Sequence, residues 1–213
     1  MITKIDKRLS LKLILDTETT LDDQSVFDIG WLICDKNAQI YETREFLVQE
    51  NFNKTFFYEN KRPMYMKKIE NLSLRVLPKD EILEILLNDI ATYNAQVYAY
   101  NSDFDQRALN KLWNYNVDMN DIFPYAFNIA TQKTYLKENR RTPKGNMTMN
   151  AENIYQYISF NNEFEEEHTA LSDCYIEMAI LLKALRQHKK VDKTIKCHNA
   201  YKLLNSLYDG LDN

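Results

Sequence analysis

Leu11-Lys12-Leu13-Ile14-Leu15-Asp16-Thr17-Glu18-Thr19-Thr20 decides how the rest of the sequence is read. An apolar run of strand length ends in two carboxylates at positions i and i+2, interleaved with threonine hydroxyls. Residues two apart on a strand project from one face, so Asp16 and Glu18 can reach one cation or two adjacent ones. Their hard oxygen atoms select Mg2+ or Mn2+ over zinc. Taken alone, Asp-x-Glu at a strand end also reads as a pair of ordinary solvent-facing acids, so the surrounding sequence has to decide.

Outward from that strand, Val26 to Cys34 and Gln39 to Val48 read as two more. Their short connections fit an antiparallel meander, because parallel neighbours need crossovers of about a dozen residues or more. From Asn51 to Leu77 the cations Lys54, Lys61, Arg62, Lys67, Lys68 and Arg75 interleave with Phe52, Phe56, Phe57, Tyr58 and Tyr65, a pattern of helical turns and loops. Pro78 then opens a helix to Tyr93, striped by Ile82, Leu83, Leu86, Leu87 and Ile90. Gln96 to Tyr100 is a short strand and Phe104 to Tyr115 a helix, while Pro124 to Leu136 fits either state. After a loop from Glu138 to Met149, helices are expected over Ala151 to Ile158, Ala170 to Gln187 and Ile195 to Tyr208. Strands first, then strands alternating with helices, imply an α/β fold with helices packed on a mixed sheet.

A chain of 213 residues with 45% hydrophobic and 27% charged residues suits one globular domain. The net charge of −4 rules out a general basic field, so any contact with nucleic acid has to be a local patch. No apolar run approaches the roughly 20 residues of a membrane span, and the polar start from Met1 to Lys7 is no signal peptide, so a cytoplasmic location is expected. Cys34, Cys174 and Cys197 are too widely spaced for a zinc pattern and read as buried thiols.

Two further segments carry chemistry. In Tyr98-Ala99-Tyr100-Asn101-Ser102-Asp103-Phe104-Asp105 a strand runs through a polar turn into a helix. Asp105 falls in the first helical turn, where the dipole favours a carboxylate; Asp103 competes with it and reads better as the helix cap. In His168-Thr169-Ala170-Leu171-Ser172-Asp173, five residues at about 100° each would put His168 and Asp173 about 140° apart on one helix. They converge only if His168 lies before the helix and Thr169 caps it. His168 also reads as a solvated residue after Glu165-Glu166-Glu167. Asp173 is harder to place in a bland role: it stands beside a core stripe of Leu171, Cys174, Met178, Leu181, Leu182 and Leu185, and a buried acid needs a partner or a metal.

Asp-x-Glu, Asn-x-x-Phe-Asp and His-x-Ala-x-x-Asp, in this order and spanning about Leu11 to Leu185, together resemble the DEDDh exonucleases of the ribonuclease H-like superfamily. The resemblance implies a ribonuclease H-like fold with a five-stranded sheet, three strands antiparallel and then parallel ones, over residues 1–190. Residues 191–213 would form a helical extension on the same domain. It implies 3′→5′ hydrolysis of single-stranded nucleic acid, DNA favoured and RNA possible, releasing nucleoside 5′-monophosphates. Asp16, Glu18, Asp105 and Asp173 would hold two divalent ions, Mg2+ or Mn2+, and His168 would be the general base. Thr17, Thr19, Asn101 and Phe104 are expected at the substrate, with a cationic track from Lys61, Arg62, Lys67, Lys68, Arg140, Arg141 and Lys144. Tyr100 departs from the family, many members of which have His there. An interaction module on the same fold, without catalysis, is the alternative. The stretch from Ile195 to Tyr208 could cover its own core, a second copy or a polymerase.

Overall fold

The computed structural model describes residues 10–54, 59–138, 140–142, 145–187 and 189–209. The polar start, Phe56, Phe57, Tyr58 and Lys144 lie outside the described residues. Strands β1 (Lys12–Thr19), β2 (Val26–Cys34) and β3 (Ile40–Val48) form the antiparallel meander, with Asp16 opposite Gly30 and Glu18 opposite Asp28. β5 (Gln96–Ala99) joins β1 in parallel. Among the described residues the sheet has six strands rather than five, with β4 (Arg75–Leu77) and β6 (Asn120–Asp121) at its edges, in the order β4-β3-β2-β1-β5-β6. The edge strands β4 and β6 are too short to show any periodicity in sequence.

Helices cover both faces. Odd-numbered β1 residues Leu13 and Leu15 pack with Ile82 and Leu86 of α2 (Lys79–Tyr93) and with Ala108, Leu109 and Leu112 of α3 (Ser102–Trp113). Ile14, on the other face, belongs to the core that holds Cys174, Ile180 and Leu181 of α7 (Ala170–Arg186). That face is covered further by α4 (Phe123–Ala130), α5 (Lys133–Lys137) and α6 (Ala151–Ser159). Pro124 to Leu136 is therefore two helices, with Pro124 in the first turn of α4, where its missing N–H is not needed. α7 lies between the sheet and both α4 and α6, so its buried face is broader than a single stripe and Leu185 is left exposed. α1 (Arg62–Glu70) packs against β2 and β3, burying Tyr65 with Phe27, Leu47 and Leu74. From the C-terminal stretch, Ile195 joins this core with Ala200 and Leu204 of α8 (Cys197–Asp209). Cys34 and Cys174 are buried free thiols, and Cys197 is half-buried and free. Among the described residues no helix is long and apolar enough to cross a membrane.

The first turn of α7 sits directly on β2. A Cβ on Gly30 would lie 2.4 Å from the Leu171 backbone nitrogen, so only glycine permits this approach. Cys174 Sγ donates to the Gly30 carbonyl at 3.3 Å one turn further on.

Candidate active site

At the C-terminal end of β1 the side chains alternate as the strand period requires. Thr17 and Thr19 are buried, whereas Asp16 and Glu18 are partly exposed on the face that α7 covers. α7 begins at Ala170, capped by Thr169, whose hydroxyl accepts from Ser172 N at 3.4 Å while Ser172 Oγ accepts from Thr169 N at 3.2 Å. His168 precedes that cap with φ +54, a left-handed turn that takes it off the helix axis. A ring nitrogen of His168 and one carboxylate oxygen each from Glu18 and Asp173 then lie within 4.8 Å of one another. The same kind of grouping joins His168 to Glu152 and Glu166, with His168 Nδ1 3.6 Å from Glu166 Oε2.

Asp105 enters from the opposite layer. It is buried in the first turn of α3, where Thr17 Oγ1 donates to its Oδ1 at 2.8 Å. The hydroxyl of Thr17, expected at the substrate, is thus directed to Asp105. Asp103 is exposed, bonds Lys196 at 3.1 Å, and is not the cap. The cap comes from a distant residue: Asp121 Oδ1 accepts from the backbone N–H of Asn101 at 3.1 Å and of Ser102 at 3.4 Å. Asn101 is the left-handed residue at the helix start, and Phe104, one turn in, is half-buried.

Two more acids belong to this region and were not singled out by the sequence. Glu177 is buried on α7 one turn after Asp173, and its Oε2 accepts from the Tyr100 backbone N–H at 3.3 Å. Its spacing of one helical turn from Asp173 was the available clue. Asp28 is wholly buried on β2 opposite Glu18. Tyr100 donates its hydroxyl to the Met149 carbonyl.

Burial raises the affinity of Asp16, Glu18, Asp105, Asp173 and Glu177 for a proton, and like charge compounds it. Asp16 feels Glu177 and Asp105 most, Glu18 feels Asp173, and Glu177 feels Asp105. So many carboxylates, none paired with a lysine or arginine among the described residues, fit divalent cations held by oxygen donors. His168 is displaced downward from its ordinary value by burial and by the Lys61 ammonium, with Glu152 opposing.

The cations expected to form a track are largely engaged in the fold. Arg62 bonds the Phe52 and Lys54 carbonyls, Lys68 pairs with Glu45, Arg140 holds Glu138, Gln156 and Asn162, and Arg141 lies over the Tyr208 ring. Lys67 is exposed, and Lys61 lines a cavity of about 570 Å³ with Tyr155, Phe164, Glu166, Ser172 and Tyr175.

No family profile and no characterised protein matches the sequence itself. In three dimensions the chain is similar to the nuclease domain of 3'hExo, a DEDDh family member, bound to rAMP, with TM-score 0.58 and 10% identity over 88% of this chain and 97% of that one. It is similar to cell-death related nuclease 4, with TM-score 0.54 and 16% identity over 86% and 66% of the two chains. It is also similar to E. coli exonuclease I in complex with a dA16 oligonucleotide, with TM-score 0.55 and 13% identity over 91% of this chain and 42% of that one. The fold is the ribonuclease H-like α/β fold of these nucleases.

Proposed function

We propose that this fold carries a metal-dependent 3′→5′ exonuclease that removes nucleoside 5′-monophosphates from single-stranded nucleic acid, DNA in preference to RNA. The observation that carries the reading is the meeting within 4.8 Å of Glu18 from β1 with His168 and Asp173 from the loop and first turn of α7, far from it in sequence. The fold that brings them together is shared with exonucleases, one bound to rAMP and another to dA16.

In this mechanism Asp16, Glu18, Asp105 and Asp173 hold two divalent cations, Mg2+ or Mn2+. When bound, these supply an acidified water and neutralise charge on the phosphate. His168 takes the proton from the attacking water; the water oxygen bonds to phosphorus as the bond to the 3′ oxygen breaks, and that oxygen takes a proton from solvent. The lowered proton affinity of His168 keeps it neutral and able to accept. Thr17 orients Asp105. Phe104, Asn101 and Thr19 meet the terminal nucleotide, Phe104 by stacking. A bare interaction module gains nothing from burying so many uncompensated acids.

Matched 3′-tailed DNA and RNA oligonucleotides, digested with and without EDTA, test the reading. Mononucleotides released from the 3′ end, sensitive to EDTA and faster from DNA, are expected. Cutting of a closed circular single strand would show an endonuclease instead.

A further inference from the structure

Asp28 lies within β2, fully buried, in register with Glu18 of β1. Its Oδ2 accepts two bonds that come from different elements: Tyr65 Oη of α1 at 2.7 Å and the backbone N–H of Ala170, the first residue of α7, at 3.1 Å. Its Oδ1 is buried with no hydrogen-bond partner among the described residues. A carboxylate in such surroundings is costly, and an apolar strand residue would avoid the cost. What the apolar residue could not do is accept the first N–H of α7, which no helical carbonyl can reach. Two residues along, Gly30 lets the same helical turn press on the strand, and its carbonyl accepts from Cys174. The start of α7 is thus bonded to β2 on both sides of a contact that tolerates no side chain. His168 stands two residues before Ala170 and Asp173 three after it.

We infer that Asp28 is a positioning residue: by holding the first turn of α7 on β2 it sets the distance of His168 and Asp173 from Glu18, and Tyr65 extends the same clamp to α1. The inference rests on the reading of those three residues as the site, and it can be tested without nucleic acid. Mn2+ affinity of the whole chain is measured by calorimetry for the wild type, Asp28→Ala, Asp28→Asn and Tyr65→Phe, alongside kcat and KM on a single-stranded oligonucleotide. Asp28→Ala leaves Ala170 N and Tyr65 Oη without their shared acceptor, and a loss of about tenfold or more in both Mn2+ affinity and kcat is expected, with KM little changed. Asp28→Asn keeps an acceptor in place and should recover most of that loss. Tyr65→Phe, nearly isosteric, should lower kcat about threefold.

Wild-type Mn2+ affinity and kcat in a folded Asp28→Ala variant would overturn the inference. So would an Asp28→Asn variant as impaired as Asp28→Ala, because charge rather than the bond would then be at work. If Asp28→Ala does not fold, Tyr65→Phe decides: wild-type behaviour counts against the clamp, and a loss supports it. A wild-type chain that binds Mn2+ but cleaves nothing defeats the nuclease reading while the affinities still decide on Asp28.

Discussion

In the proposed mechanism each acid of the candidate site has two roles that pull against each other, a ligand when cations are bound and a buried like charge when they are not. Asp173→Asn should therefore reduce hydrolysis by about a thousandfold or more and yet raise the melting temperature of the metal-free protein, as relief of buried repulsion requires. An assay paired with thermal melts in EDTA reads both effects, and retained activity would remove Asp173 from the site. A His168 that serves as the proposed base does so only when neutral, so the rate should fall as pH drops through its pKa, which burial and Lys61 hold below the ordinary value of about 6.5. Lys61→Ala lifts one of those two causes, and the acid limb of the pH-rate profile should move to higher pH. Glu152, which raises the proton affinity of the same ring, is then opposed by burial alone.

At the scale of the element, the junction of β2 with α7 is where sequence changes should be felt most. Gly30→Ala places a methyl against the Leu171 backbone, which cannot swing aside as a side chain would. Helix or strand must shift, at a cost of about 1–3 kcal/mol or more in a denaturant titration. Thr169→Ala removes the cap and half of the box, costing about 1 kcal/mol. Much of this was legible. Strand period put Asp16 and Glu18 on one face, and the capping preference of threonine set His168 off the helix. Asp28 was hidden because one acid in a strand of nine buried residues breaks no pattern that periodicity can read. Asp121 as the cap of α3 was equally hidden, since its bonds join residues about twenty apart. The apolar stripe of α7 misled at Leu185 because a helix packed between a sheet and two helices has no single core side.

For the whole molecule, the buried acids tie stability to pH and to cations. Their proton affinities in the folded chain are raised above those of the unfolded chain. The resulting stability is fully present below the ordinary carboxylate pKa of about 4 and is lost as pH rises through the folded values. Those are about 7 for Asp105, about 8 for Asp173 and about 9 for Glu18. The metal-free protein should melt at a lower temperature at pH 8 than at pH 5, and Mn2+ should raise the melting temperature more at pH 8, where it displaces fewer protons. Equal increments at the two pH values would argue against cations bound by these carboxylates.

The sheet ends in strands of three and two residues, β4 and β6. At β4 and β6 an arriving strand of another molecule finds only that many backbone N–H and C=O groups to pair with, although β4 pairs with β3 only over Phe46–Val48 and does not reach Ile40 to Glu45. Edges this short are a recognised defence against strand-to-strand aggregation. The two terminal strands thus give another chain little to pair with.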